Sequence, residues 1–135
     1  PLLRRTPLGE TRRGAKIVGD YLMADWDHGA SRDVDWLLGA ALLVRAEALK
    51  RVGLFDDQFF LYFEDTDWAR RFWKTGYRVV YFPEAELIHF HRRESAEGPI
   101  LESVLRPTTR AHVRSAVKYF WKYRREGPPV RNQPA

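Results

Sequence analysis

The aromatic run Phe59-Phe60-Leu61-Tyr62-Phe63 passes directly into an acidic cluster, Glu64, Asp65 and Asp67, then into a basic one, Arg70, Arg71 and Lys74, and closes on Gly76. That order constrains the chain more than any other stretch. Acids in a first turn and bases in a last turn suit the helix macrodipole, and a glycine just past the end is a common stop, so the pattern predicts a helix over Glu64–Lys74. On such a helix Asp65 shares a face with Ala69 and Phe72, which turns a carboxylate toward the apolar side. Two readings stay open. A carboxylate held against an apolar wall is a rigid proton acceptor, while acids at a helix start also stabilise it by about 0.3–1 kcal/mol with no further role.

The other elements follow from periodicity and punctuation. Residues 36–44 are almost continuously apolar, with Gly39, Ala40 and Ala41 at the centre, and predict a short buried strand that another backbone or a ligand approaches closely. Ala46–Val52 reads as a short helix stopped by Gly53. Residues 77–82 read as a strand ended by Pro83, and 86–91 as a second, alternating strand. Residues 108–125 form another helix, ended by Gly127, Pro128 and Pro129. Residues 1–20, rich in Arg, Pro and Gly, read as an irregular basic leader, and the aromatic and acidic types of 21–35 as a functional loop. The expected organisation is therefore a leader (1–20), an α/β body (21–107), a basic amphipathic helix (108–126) and a disordered tail (127–135).

At 44% hydrophobic and 14% aromatic residues, the chain has the side chains for a folded core. With no cysteine it has neither disulfides nor thiolate metal sites, which fits a reducing, cytoplasmic compartment. No apolar run is long enough for a membrane span, and a start at Pro1 reads as an excised piece of a longer chain. Charge is uneven. Residues 1–20 carry five basic and two acidic side chains, residues 106–135 eight and one, and the stretch between them ten and fifteen.

Basic ends around an acidic body point to phosphate, of nucleic acid or of an anionic membrane. No zinc-ligand spacing, RNA-binding aromatic signature or helix-turn-helix accompanies them, so nucleic acid is the poorer fit. On the last helix Arg110, Arg114, Lys118, Lys122 and Arg125 form one stripe and Val113, Ala116, Val117, Phe120 and Trp121 another. Arg114, Lys118 and Lys122 are the expected contacts to phosphate or to the inner face of the plasma membrane. The competing expectation is an ordinary amphipathic helix packed on the core. His89 and His91, one residue apart in the expected strand, leave the same face as part of a divalent-metal site or as structural histidines.

Taken together, Asp35-Trp36 with Gly39-Ala40, the run from Phe59 to Asp67, Gly76-Tyr77-Arg78-Val79-Val80-Tyr81, Ile88-His89 and Ser95 resemble family 2 glycosyltransferases of the rhamnosyltransferase-like group. The resemblance implies the C-terminal, acceptor-side half of a GT-A mixed sheet with flanking helices, without the N-terminal nucleotide-binding half. It implies inverting transfer of a sugar from a nucleotide-sugar donor to a glycan or lipid-linked acceptor. In that scheme Asp65 is the general base, and Trp36, Gly39, Ala40, Glu64 and Asp67 line the acceptor site. His89, with His91 as a second candidate, contacts a divalent ion, Mn or Mg, that neutralises the leaving diphosphate. The chain by itself is expected to be inactive and to hold no metal tightly. Asp33-Val34-Asp35 spells the Asp-x-Asp of metal-dependent sugar transferases, but it precedes a strand instead of following one, so a helix-entry or loop role is expected; Arg93 stands where the family usually has Gly. The rival from another class is a non-catalytic interaction or membrane-docking module acting through the basic helix.

Overall fold

The computed structural model describes residues 11–90 and 106–127, which fall in two units, Pro1–Ser31 and Arg32–Ala135. In the first, Arg12–Leu22 forms helix α1. This corrects the irregular leader expected over residues 1–20, of which 1–10 lie outside the described residues. Thr11 caps the helix by accepting the Gly14 N–H at 3.1 Å, and Lys16 pairs with Asp20 one turn on at 3.0 Å. Met23, left-handed at φ 51°, ends it with its N–H on the Asp20 and Gly19 carbonyls. The loop begins only after it, and there Asp27 accepts the Gly29 N–H at 2.9 Å, an Asx turn.

The second unit opens on an antiparallel pair, β1 (Arg32–Asp33) and β2 (Val80–Tyr81), with Arg32 opposite Tyr81 and Asp33 opposite Val80. The Val34 N–H extends the ladder to the Val79 carbonyl at 2.9 Å. Arg78 locks it with a forked contact on Asp33, at 2.8 Å from Nη2 and 2.9 Å from Nε. Asp33 is thus a partner of Arg78 in the sheet. An α/β composition holds, as helices with a small sheet, although only two residues of the expected strand over 77–82 pair in it.

Residues 36–44 are not the expected buried strand. No neighbouring strand among the described residues takes up their backbone groups; Gly39 and Ala40 turn, and the Gly39 N–H goes to a side-chain carboxylate. The run splits between the two sides, with Leu38 and Leu43 exposed while Leu42 and Val44 pack on the core. Residues 86–90 are likewise exposed and form no strand with the other described residues, and the end of that expected strand, His91, lies outside the described residues.

The helices match their expected bounds closely. Ala46–Val52 (α2) ends at Gly53, whose φ of 82° is a conformation that suits glycine. Glu64–Lys74 (α3) follows the left-handed residue Phe63. Ala48 of α2 and Trp68 and Phe72 of α3 form the core. The Trp68 indole N–H donates to the Gly53 carbonyl at 2.8 Å, and Arg71 donates to the Val52 and Leu54 carbonyls at 2.8 and 2.6 Å, so α3 carries the carbonyls that α2 leaves at its C-terminus. Trp73 anchors the sheet by donating to Val34 at 3.1 Å.

Pro107–Lys122 (α4) replaces the expected 108–125, with proline at its first turn. It meets α3 through Asp67, which is 0% exposed. That carboxylate accepts from Lys122 Nζ at 2.6 Å, Tyr123 Oη at 2.7 Å and Arg71 Nε at 2.9 Å. Burial, with Asp67 beside it, pushes the Tyr123 phenol well above its ordinary value, so the hydroxyl stays a donor. Arg70 lies over the Tyr123 ring at 4.0 Å. The contact set is a buried charge with full partners, and removing one side leaves the others uncompensated.

Asp67→Ala is expected to lower unfolding free energy by about 3–5 kcal/mol, and Tyr123→Phe by about 1.5–3 kcal/mol, in urea titrations; near-wild-type stability for both contradicts the arrangement. Acid adds a second check. Burial pushes the Asp56 carboxyl up, but hydrogen bonds from Lys122 and Gln58 override it and bring it from 3.8 to about 2. A depressed carboxyl contributes stability that is complete above pH 3.8 and is lost as pH falls through about 2. Asp56→Asn should flatten the stability-versus-pH curve across that window.

Candidate functional site

The backbone enters α3 through two successive left-handed residues, Tyr62 at φ 65° and Phe63 at φ 68°. Bulky aromatic residues avoid that region at a cost of order 1–3 kcal/mol each, so the surroundings must hold them. The holding comes from α4. His112 stacks on Tyr62 with ring centroids 4.5 Å apart, Tyr119 lies 5.2 Å from Phe63, and Ser115 donates to the Leu61 carbonyl at 2.8 Å. Burial lowers the His112 pKa, which favours the neutral ring in this stack.

The turn delivers Glu64 and Asp65 to the start of α3. Asp65 is 8% exposed. Its Oδ2 accepts the Gly39 N–H at 3.0 Å, and its Oδ1 accepts the Thr66 N–H at 2.7 Å and the Thr66 hydroxyl at 3.2 Å. Three donors fix the rotamer. A Cβ on Gly39 would stand 3.6 Å from Oδ2, an ordinary van der Waals contact, so the hydrogen bond from its N–H does not itself require glycine there. Asp65 forms part of the wall of a cleft of about 950 Å³, with Leu37, Trp68 and Phe72 and the segment from Gly76 to Phe82. Shape, a few polar groups and an apolar lining are what a ligand cleft requires.

Glu64 differs from its neighbour. Its Oε2 is buried without a hydrogen-bond partner among the described residues. Burial, opposed by a backbone hydrogen bond and reinforced by the Asp65 charge, raises its pKa.

Of the residues expected at the acceptor, Gly39 and Ala40 are exposed at the turn over Asp65, and Trp36, three residues before that turn, is half-buried. Asp67 corrects the expectation: it has no exposed surface, and its oxygens already accept from three side chains, so it holds the fold and cannot reach an acceptor. The basic stripe is corrected in part. Lys118 donates to the Gln58 carbonyl at 2.6 Å, and Lys122 pairs with Asp56 and Asp67 at 2.7 and 2.6 Å, which leaves Arg114 as the exposed member of the three. His89 is exposed, His91 lies outside the described residues, and no three His, Asp or Glu among the described residues gather into a metal site. The described residues therefore do not by themselves fit a divalent ion.

Sequence reasoning missed the contact between Gly39 and Asp65, which joins positions 26 residues apart and carries no local signal. It also missed His112, whose only sequence mark is a place on the last helix.

Comparison with known proteins adds the class. The family model described as glycosyl transferase family group 2 matches residues 11–124, and the chain belongs to that family. Two N-acetylglucosaminyl-diphospho-decaprenol L-rhamnosyltransferases of Mycobacterium tuberculosis, from strains CDC 1551 / Oshkosh and H37Rv, are each 41% identical over 70 residues, covering 52% of this chain and 23% of theirs. The rhamnosyltransferase WbbL of Escherichia coli K12 is 32% identical over 91 residues, covering 67% of this chain and 32% of its own. The chain thus spans about a quarter to a third of the length of these relatives. No solved structure matches it.

The buried Glu64 oxygen gives a check that needs no substrate. A carboxyl with a raised pKa destabilises the fold once ionised, so Glu64→Gln should leave urea stability at pH 7 equal to or above wild type, with the difference shrinking below pH 4.5. A clear loss of stability would mean that the ionised carboxylate has a partner.

Proposed function

We propose that this chain is the acceptor-side portion of an inverting rhamnosyltransferase-type enzyme, which moves a sugar from a nucleotide-sugar donor to a glycan or lipid-linked acceptor. The observation that carries the reading is the Asp65 carboxylate, held by Gly39 and Thr66 in the wall of the cleft. The relatives support the class, since rhamnosyl transfer is in their names and a diphospho-decaprenol acceptor in two of them.

In the proposed reaction an acceptor hydroxyl attacks the anomeric carbon of the sugar. Asp65 takes the hydroxyl proton as the new C–O bond forms, and the bond to the nucleotide diphosphate breaks on the opposite face, with inversion. A general base must be held within hydrogen-bond reach of the proton it takes, and the bonds to the Asp65 oxygens serve that purpose. Glu64, half-buried and next to Asp65, would border the same acceptor. Trp36, Gly39 and Ala40 would border the bound acceptor, the indole as a face for a sugar ring. A divalent ion, Mn or Mg, belongs to the same proposal only for the longer protein, where His89 would need ligands from outside the described residues. The donor's nucleotide site is likewise assigned to that longer protein.

A non-catalytic docking module, the rival reading, is not favoured by membership in a transferase family over residues 11–124. The deciding experiment uses the full-length protein that carries this chain. Asp65→Asn should lower turnover by about 10²–10⁴-fold while nucleotide binding and thermal unfolding stay close to wild type. Turnover near wild type would remove Asp65 from the role of base.

A further inference from the structure

The last helix packs in an unexpected orientation. Its core side carries Thr109, Ser115, Lys118 and Lys122, and through the last three and the adjoining Tyr123 it meets residues 58–61 and α3. What faces outward is Arg110, Val113, Arg114, Val117, Phe120 and Trp121, all exposed and all within one side of the helix at 100° per residue. Val117 is 64% exposed, Phe120 66% and Trp121 67%. Four large apolar side chains have been placed in solvent on a helix that had lysines to spend there. A solvated face alone does not explain this, because the same helix turns Lys118 and Lys122 to partners within the fold and leaves four apolar groups exposed.

Charge identifies the occupant. From Arg106 to Arg125 there are seven basic residues and no acidic one. Lys118 and Lys122 are used internally, but Arg110, Arg114 and Arg125 form no ion pair among the described residues. Arg124 lies over the outward Trp121 ring at 3.9 Å, so a cation and an indole share the end of the face. Arginines with long stems beside valine, phenylalanine and tryptophan are the composition of a helix lying in the headgroup region of a bilayer, with apolar groups in the acyl boundary and guanidinium groups on lipid phosphate. Within the second unit, residues 32–105 carry ten basic and thirteen acidic side chains, so the attraction of an anionic surface falls on α4.

We propose that the outward face of α4 is a docking surface for an anionic lipid bilayer. It differs from the stripe of Arg114, Lys118 and Lys122 expected from the sequence, because two of those three cations hold the fold. The proposal stands on the packing of α4 and does not depend on Asp65 acting as a base.

The test is co-sedimentation of this chain, and of the full-length protein that carries it, with vesicles of phosphatidylglycerol and phosphatidylcholine or of phosphatidylcholine alone, at low and high salt. Both proteins should bind the anionic vesicles and lose binding with salt. The pair Arg110→Gln and Arg114→Gln should weaken binding by at least about tenfold, each arginine counting for on the order of fivefold. Val117→Ser with Trp121→Ser should weaken it as well, because apolar insertion is lost, and these exposed changes should leave circular dichroism and thermal unfolding unchanged. Several results would overturn the proposal: no binding to anionic vesicles, equal binding to neutral ones, or equal binding by both variants. So would binding by this chain but not by the full-length protein, which would mean that the remainder of the protein covers the face. Self-association abolished by Val117→Ser with Trp121→Ser would assign the face to a second copy, and retention on DNA without vesicle binding would assign it to nucleic acid.

Discussion

A carboxylate with no exposed surface, Asp67, ties together the two longest helices among the described residues of the second unit. Isolated, such a charge would be expelled from the interior or protonated. Here a guanidinium from its own helix, an ammonium from α4 and the phenol just past the end of α4 surround it. The arrangement is specific because each donor has one reach and one direction. Arg71 sits a turn along α3, whereas Lys122 and Tyr123 are adjacent and must both lie on the inner side, which sets the rotation of α4 about its axis. The same Lys122 also pairs with Asp56 ahead of the aromatic run, so one ammonium bridges two segments.

Fixing that rotation has two consequences. His112, Ser115 and Tyr119 come to face the turn from Leu61 to Phe63 and hold two aromatic residues at positive φ, and that turn delivers Asp65 to the Gly39 N–H. The opposite side of α4 is left with Val113, Val117, Phe120 and Trp121 in solvent. The strained entry to the candidate site and the exposed face are therefore two sides of one packing decision, although they would serve different partners. Strain next to a fixed carboxylate is where function is expected to draw on the stability of the rest of the fold.

The helices were readable from the sequence because their ends are chemical. Acids before bases and Gly76 after Lys74 set α3, Gly53 sets the end of α2, and Pro107 opens α4 one residue before the start inferred for it. The first helix was missed because glycines and arginines obscure its apolar positions, while the cap that makes it, Thr11, looks like any loop threonine. The stretch 36–44 reads as a strand by hydrophobicity alone, yet its Gly39 N–H finds a carboxylate instead of a neighbouring strand, and no periodicity encodes that choice. Asp65 was legible by its face on α3. The role of Asp67 was not, since its neighbours Lys122 and Tyr123 are more than fifty residues away and looked like members of a surface stripe.

The proposed role of Asp65 would give these observations a common purpose, with the hub holding α4, α4 holding the turn, and the turn holding Asp65. The most direct measurement of that account is a crystal structure of the full-length protein with an acceptor and a non-reactive donor analogue bound. The account predicts the attacking hydroxyl within about 3 Å of an Asp65 oxygen, with Gly39 still bonded to that carboxylate and Asp67 still buried between Arg71, Lys122 and Tyr123. An acceptor bound away from Asp65, or an Asp67 released from α4 to contact it, would contradict the account.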